Sequence, residues 1–349
     1  MERRFGAVVR KTPTIRDVAR LAAVSPATVS LVLNEVADTR ISEGTAARVR
    51  AAAAELEYAP NSLARGLRRR RSDTIVLIGD TITTTPYAVH MIEAVQHVAG
   101  RNGLLLFLFN TGGDAAVERA GMTLLARQQV DGFIYARMYH QVVDLPDGLR
   151  GHTVLLNART RRAGPPAVVP DDRGGAYAAV TELLAHGHRR IGFLNDARTP
   201  PAAALRLEGY RDALRAHGIR LDRRLVVDAQ PTLEAGTAAA LELYDRSAFT
   251  GLFCFNDRMA IGACRALRRR GLLVPRDMSV VGFDDQGFVA EYAEPPLTTV
   301  ALPHYAMGER AATALVDLVN GRAVERGTRL VPCHLVRRGS VGPAPVPAD

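Results

Sequence analysis

Acidic and amide side chains recur at one structural station of this 349-residue chain, directly after short apolar runs. Asp80 follows TIVLIG, Asn157 follows TVLL, Asn256 and Asp257 follow GLFCF, and Asp284 and Asp285 follow SVVGF. Each alone is more readily a loop cap or turn former than a ligand contact. Their recurrence points instead to a shared cleft, where carboxylates and amides offer acceptors and paired donors suited to sugar hydroxyls or a nucleobase. Tyr87 supplies an apolar platform for a ring. The doublets Asp171-Asp172 and Asp284-Asp285 have the composition of paired catalytic acids or metal ligands. Neighbouring acids on a strand end point in different directions, however, and His186 and His188 fall at a helix-to-strand turn rather than at ligand spacing. Lys11 is the sole lysine, which removes a Walker phosphate loop, and neither G-x-S-x-G nor G-x-G-x-x-G occurs. No catalytic residue, metal site or cofactor is expected, and the chain is not read as an enzyme.

A second constellation lies near the amino terminus. Between Thr14 and Asn34, Ile15, Val18, Ala19 and Ala22 recur at helical spacing, Val24 interrupts, and Val29, Val32 and Leu33 resume it after Ser25-Pro26. Ser25 suits an N-cap because its hydroxyl accepts from an orphan amide, and Pro26 suits the first helical position, where no N–H is needed. The second helix then opens with free amides beside Ser25, Thr28 and Ser30, an end fitted to a phosphate or a base edge. Ser42 caps a third helix through Ala46, Val49, Ala53 and Leu56, and Pro60 stops it.

Charge separates this region from the rest. From Met1 to Arg71 there are 14 Lys and Arg against 7 Asp and Glu, a surplus of +7 out of the chain's +9. The amino-terminal fifth therefore meets a polyanion, while the remainder is an ordinary globular body. From Ser72 onward, apolar strands alternate with amphipathic helices, and the rhythm restarts near Gly175. Two such runs imply parallel sheets covered on both faces, in two lobes with a cleft at the strand ends. Cys254, Cys264 and Cys333 form no C-x-x-C pair or even framework and read as buried thiols of a reducing cytosol. The start, MERRFGAVVRKTP, lacks an apolar signal core, and no stretch reaches the roughly 20 apolar residues of a membrane span, so a cytoplasmic location without a membrane partner is expected.

The run T-I-x-D-V-A-x-x-A-x-V-S-x-x-T-V-S-x-V-L-N over Thr14–Asn34 closely resembles the helix-turn-helix of the LacI/GalR (lactose-repressor-like) family of bacterial transcription regulators. The pattern Y-x-P-N-x-x-A-R-x-L, carried by Tyr58, Pro60, Asn61, Ala64, Arg65 and Leu67, is similar to that family's hinge. The resemblance implies an all-α helix-turn-helix headpiece over 1–59, a hinge helix and basic linker over 60–71, and a two-lobed α/β core over 72–340 like a periplasmic binding protein. The core divides into lobe 1 at about 72–170 and 303–331 and lobe 2 at about 171–302 and 332–340, and a Pro-rich tail over 341–349 is expected to be disordered.

The same resemblance implies a DNA-facing set of Thr14, Arg16, Ser25, Pro26, Ala27, Thr28, Ser30, Leu31 and Asn34, with Asn61, Ala64 and Arg65 in the hinge and Leu67 as a minor-groove wedge. It places Asn157, Arg206, Asn256 and Asp284 at effector-contact positions, beside Asp80, Thr85 and Tyr87. The implied partners are double-stranded operator DNA, a sugar-like small-molecule effector of unknown identity, and further copies of the chain in a homodimer or tetramer. A solute-binding protein of a sugar transporter would share the two-lobed core, but it needs an export signal and has no use for a basic headpiece.

Departures from the family pattern sharpen these expectations. Thr85 stands where an Asn is frequent, Pro231 where an aromatic closes the far wall, and Leu302 where a Gln is seen, so the pocket is less polar and less aromatic than a typical sugar site. Pro26, Ala27 and Leu31 replace polar base readers, leaving no arginine for a bidentate guanine contact. Readout then leans on thymine methyls, Thr28, Ser30 and groove deformation. Leu31→Arg is expected to create a guanine preference at one half-site position; an unchanged motif in a binding-site selection would refute this.

Overall fold

The computed structural model describes residues 13–34, 40–58, 71–147, 149 and 151–345. The hinge positions Asn61, Ala64, Arg65 and Leu67 lie outside them. The chain divides into two compact units, Met1–Ser72 and Asp73–Asp349.

The first unit is helical. Helix α1 (Ile15–Leu21) opens where the Asp17 carboxylate accepts from the Thr14 backbone N–H at 2.9 Å and from its hydroxyl. Helix α2 (Pro26–Leu33) starts as expected, with Ser25 Oγ accepting from Thr28 N–H at 3.0 Å and Pro26 in the first turn. Helix α3 (Glu43–Glu55) is capped by Ser42, which accepts from Thr45 N–H at 3.3 Å. Its last turn ends where Glu57 enters the left-handed region at φ 50°. Val18, Ala19, Val29, Val32, Val49 and Ala53 form one small core. Thr14, Arg16, Ser25, Pro26, Ala27 and Leu31 stay exposed, whereas Thr28, Ser30 and Asn34 are half-buried.

The second unit holds two six-stranded sheets. Sheet one has the order β11-β5-β4-β3-β1-β2, from β1 (Thr74–Gly79), β2 (Leu105–Asn110), β3 (Gly132–Val142), β4 (His152–Arg159), β5 (Ala167–Pro170) and β11 (Thr328–Val331). Sheet two has the order β12-β10-β9-β8-β6-β7, from β6 (Ile191–Asp196), β7 (Val226–Ala229), β8 (Gly251–Cys254), β9 (Ser279–Asp284), β10 (Thr298–Ala301) and β12 (His334–Val336). Every pairing is parallel except β10 with β12.

Strand alternation sorts each sheet's residues to two faces. In sheet one, Ile75, Leu77, Ile134 and Leu156 pack on helices α4 (Val89–Arg101) and α11 (His304–Val319), while Val76, Ile78, Phe133 and Leu155 face α5 (Ala115–Leu125). In sheet two, Phe193, Phe253 and Val281 meet α6 (Asp172–Ala185) and α7 (Pro201–Ala216), and Leu194, Leu252 and Val280 meet α8 (Leu233–Arg246) and α9 (Asp257–Arg269). A short helix α10 (Phe288–Glu291) follows β9. The chain passes between sheets after β5, after β10 and after β11.

Three sequence expectations need correction. Sheet one is not covered on both faces throughout: on edge strand β2, Leu105 and Phe107 are 58% and 53% exposed because α5 buries little beyond Gly121 and Met122, and Leu108 on the opposite face is 48% exposed. The apolar run DGFIYA predicts a strand ending at Ala136, but β3 continues to Val142, with its register to β4 shifting between Ala136 and Gln141. Polar Arg137, His140 and Gln141 hid that extension from an alternation rule. The tail expected to be disordered from 341 is bonded at its start: Gly342 N–H donates to Ser279 Oγ at 3.0 Å, and Ala344 N–H to His186 O at 2.8 Å.

Helices α8 and α9 approach so closely that a methyl group at Gly262 would stand 2.2 Å from Leu233 O. Nothing lies within 4 Å of one at Gly100 on α4. Gly262→Ala is therefore expected to destabilise by about 1–3 kcal/mol through forced helix separation, and Gly100→Ala to stabilise by about 0.5 kcal/mol through backbone entropy. Urea unfolding of both variants checks the opposite signs.

Candidate functional site

The carboxyl ends of the two sheets face each other across a narrow cleft that encloses a cavity of about 30 Å³. Lobe 1 contributes Tyr87, Met138, Tyr139, His140 and Asn157, and lobe 2 contributes Asp172, Arg206, Phe255 and Asp284. Leu302, between β10 and α11, lies at the edge. Tyr87, Asn157, Arg206 and Asp284 thus come together as expected from sequence.

The other three expected positions do not line this space. Asn256 caps α9: its Oδ1 accepts from Met259 N–H at 2.9 Å and its Nδ2 donates to Pro231 O at 3.1 Å, so both ends of the amide are used. Asp80 accepts from Met138 N–H at 2.9 Å and thereby fixes the extended end of β3. Thr85 donates to Thr81 O at 3.1 Å within a tight turn.

Arg206, 3% exposed, is the centre of the lobe 2 wall. Its Nε and Nη2 both lie 2.9 Å from Asp172 Oδ1, Nη1 donates to Phe255 O and stands 3.7 Å from Asp284 Oδ1, and the guanidinium lies 3.5 Å from the Phe283 ring centroid. A planar, weakly hydrated cation tolerates such stacking where a lysine would not. Burial pushes the Asp172 carboxyl up, but Arg206 and the hydrogen-bonded His140 outweigh it and hold the group below the usual carboxylate range. His140 Nδ1 lies 3.1 Å from Asp172 Oδ2, a contact that spans the two lobes.

Backbone strain marks the irregularity in β4 and the end of β9. Asn157 sits at φ 54° and Asp284 at φ 103°, and Asp285 follows at φ 51°. Such conformations in non-glycine residues persist only where surrounding contacts enforce them. Asn157 Nδ2 donates to Met138 O at 2.9 Å, and Gln286 Nε2 donates to Asp284 Oδ2 at 2.9 Å. Tyr139 and His140 sit on the extension of β3, which no alternation in the sequence marks, and Asp172 stands out in the sequence only as half of an acidic doublet. Arg258, the second residue of α9, reaches the electrostatic range of Tyr87, Tyr139 and Asp284 and is a further polar contributor.

Two acids, Asp284 in the cleft wall and Asp257 behind it, hold their protons to higher pH than an ordinary carboxyl. Burial pushes Asp284 up to about 6 despite Arg206. Asp257, fully buried at the start of α9, is pushed up to about 8 by burial and by Asp284, against the hydrogen bonds from Thr299 and from Gln286 N–H. A carboxyl raised in the fold binds a proton there that the unfolded chain has already released. Its stabilising contribution is complete below the unfolded value near about 4 and is lost as pH rises through about 8. Asp257→Asn keeps an acceptor for Gln286 N–H and a donor for Thr299, with no charge to bury. Between pH 4 and 9 the two melting curves are expected to lie closest at the acid end, to diverge steadily in favour of the Asn variant as pH rises towards about 8 and to run parallel above it; curves parallel throughout would contradict the assignment.

Among the described residues, no group of three or more His, Cys, Asp or Glu is placed to hold a metal ion, and no helix is long and apolar enough to cross a membrane. Residues 14–61 match the bacterial regulatory proteins of the lacI family, and residues 180–341 match a periplasmic binding protein-like domain. The HTH-type transcriptional repressor CytR of Escherichia coli (strain K12) is 33% identical over 340 residues, covering 95% of this chain and 97% of the relative. Among solved structures, the transcriptional regulator CelR–cellobiose complex aligns at TM-score 0.67 with 33% identity over 94% of this chain and 99% of that one. The Lac repressor dimer bound to operator and the anti-inducer ONPF aligns at TM-score 0.79 with 27% identity over 95% of this chain and 100% of that one. Capped helix pair, two parallel lobes and near full-length similarity lead to one conclusion: the chain belongs to the LacI family of bacterial regulatory proteins and is a DNA-binding transcriptional regulator, not an enzyme.

Proposed function

We propose that this regulator is a cytoplasmic repressor that binds a pseudo-palindromic operator as a homodimer and whose operator affinity is set by a small polyhydroxylated effector in the interlobe cleft. The observation that carries this reading is the cleft itself, lined by unpartnered polar atoms of lobe 1, by the buried charges of lobe 2 and by strained backbone from both. A ligand there touches both lobes at once, so its binding free energy differs between open and closed arrangements, the requirement for coupling. The relatives named for cellobiose binding and for operator binding support the two partner classes. DNA contact is assigned to the exposed Thr14, Arg16, Ser25, Pro26, Ala27 and Leu31, with Thr28, Ser30 and Asn34 beside them.

The exposed apolar residues of β2 support a homodimer. Leu105 and Phe107 on one face of this edge strand and Leu108 on the other leave its rim uncovered, and an exposed apolar edge of this kind marks an interaction surface. Two headpieces held together double the phosphate contacts and steepen the salt dependence of binding.

The test is fluorescence anisotropy on a library of genomic fragments from about 50 to 200 mM salt, with and without neutral sugars and nucleosides, alongside sedimentation. A specific fragment, a steep salt slope and a metabolite-dependent affinity are expected. Phe107→Glu is expected to shift the sedimenting species from dimer to monomer and to weaken operator binding by at least about tenfold, the size of one lost cooperative contact of ~1.4 kcal/mol. A monomeric wild type, or a dimer indifferent to Phe107→Glu, would remove the β2 assignment.

A further inference from the structure

We propose that His140 is a specificity-determining residue of the cleft, held by Asp172 of the opposite lobe so that its Nε2 accepts a hydrogen bond from an effector hydroxyl or N–H. The inference deepens the effector reading and rests on it.

His140 is 4% exposed and lies on the extension of β3 beyond the register shift, in the wall of the cleft. Its two ring nitrogens are in unlike situations. Nδ1 lies 3.1 Å from Asp172 Oδ2, whereas Nε2 is buried without any partner. Asp172 Oδ1 is already occupied by Arg206, and the pair keeps Asp172 ionised. An ionised carboxylate only accepts, so Nδ1 carries the hydrogen, and the tautomer with its single hydrogen on Nδ1 presents a bare lone pair at Nε2.

Asn157 repeats the pattern. It is 4% exposed, its Nδ2 donates to Met138 O at 2.9 Å, which fixes the amide orientation, and its Oδ1 is buried without a partner. Two orphaned acceptors on lobe 1 thus line the same space as the Asp284 carboxylate of lobe 2. Buried polar groups left unpaired are costly, and a ligand supplying the missing donors removes that cost. The set selects a neutral effector bearing hydroxyl or N–H donors at this end and rejects an analogue lacking them. Because His140 also joins the lobes through Asp172, one ring both reads the effector and spans the cleft.

Three variants separate the two roles. In His140→Asn the amide nitrogen reaches the place of Nδ1 and nothing occupies that of Nε2. In His140→Gln the amide reaches the place of Nε2 while the bond to Asp172 is lost. His140→Phe keeps the ring and removes both. The full chain is titrated calorimetrically with D-ribose, D-galactose, cellobiose, adenosine and cytidine, and melting of each unliganded variant is recorded.

At least one of these compounds is expected to bind the wild type. Its affinity is expected to fall at least about tenfold in His140→Asn and His140→Phe and to be partly restored in His140→Gln, the size of one unmet buried hydrogen bond. A deoxy analogue of the compound bound, missing the hydroxyl in question, is expected to bind wild type and His140→Asn equally. Undiminished binding by His140→Asn, with the wild type binding, overturns the role of His140 and leaves the effector reading standing. Failure of all five compounds to bind the wild type overturns the effector reading and this inference together.

Discussion

The buried ion pair of Asp172 with Arg206 is the constraint on which the cleft depends. Isolated in an apolar wall, either charge would be strongly disfavoured, and a pair in the protein interior is tolerable only when its remaining hydrogen-bonding capacity is also met. Here it nearly is: Asp172 engages Arg206 through one oxygen and His140 through the other, and Arg206 adds Phe255 O and the face of Phe283. The pair therefore fixes the start of α6, the end of β8 and the tip of β9 in one arrangement. It also orients His140 from the other lobe, so a contact inside lobe 2 sets the hydrogen-bonding character of a residue in lobe 1.

Around that pair, polar groups are distributed unevenly. The apolar clusters of sheet one and of sheet two share no residue, and each is enclosed by its own helices. What joins the lobes at the cleft is polar: His140 with Asp172, Arg198 5.1 Å from the Tyr139 ring centroid, and Arg258 within range of Tyr87 and Tyr139. Rotation of one lobe against the other breaks these contacts and leaves both cores intact. Contacts between polar groups can be replaced by ligand or water at small net cost, whereas opening a core cannot.

The architecture was legible in the sequence because it rests on period. Apolar runs such as TIVLIG and RIGFLND, separated by helical stretches, fix parallel strands wherever both neighbours are apolar. Capping chemistry fixed Ser25 and Ser42 as helix starts for the same local reason. Four of the seven residues expected from sequence at effector contacts line the cleft; the exceptions are instructive. Asn256 and Asp80 follow strands as the others do, yet their side chains turn back to backbone N–H groups. Position after a strand decides the station of a residue, not the direction of its side chain. His140 and Tyr139 were illegible for the opposite reason, since a shift in strand register places them in the cleft and no alternation pattern records it.

Protonation in the cleft follows from the same geometry. Asp172 is held ionised because Arg206 and His140 both meet it, whereas Asp257 and Asp284 lie close together with one guanidinium 3.7 Å from Asp284. Three acids in one dry region cannot all keep a charge where cations are fewer, so the proton settles on the acid farthest from Arg206 in interaction terms, Asp257. This leaves a negative charge at the floor, on Asp172, and a neutral carboxyl behind the tip of β9. A phosphate or carboxylate brought to the lobe 1 wall would meet His140 Nε2 and Asn157 Oδ1, both acceptors, and gain no hydrogen bond there. The electrostatics and the hydrogen-bonding inventory thus select the same class of ligand, one that is neutral and rich in donors.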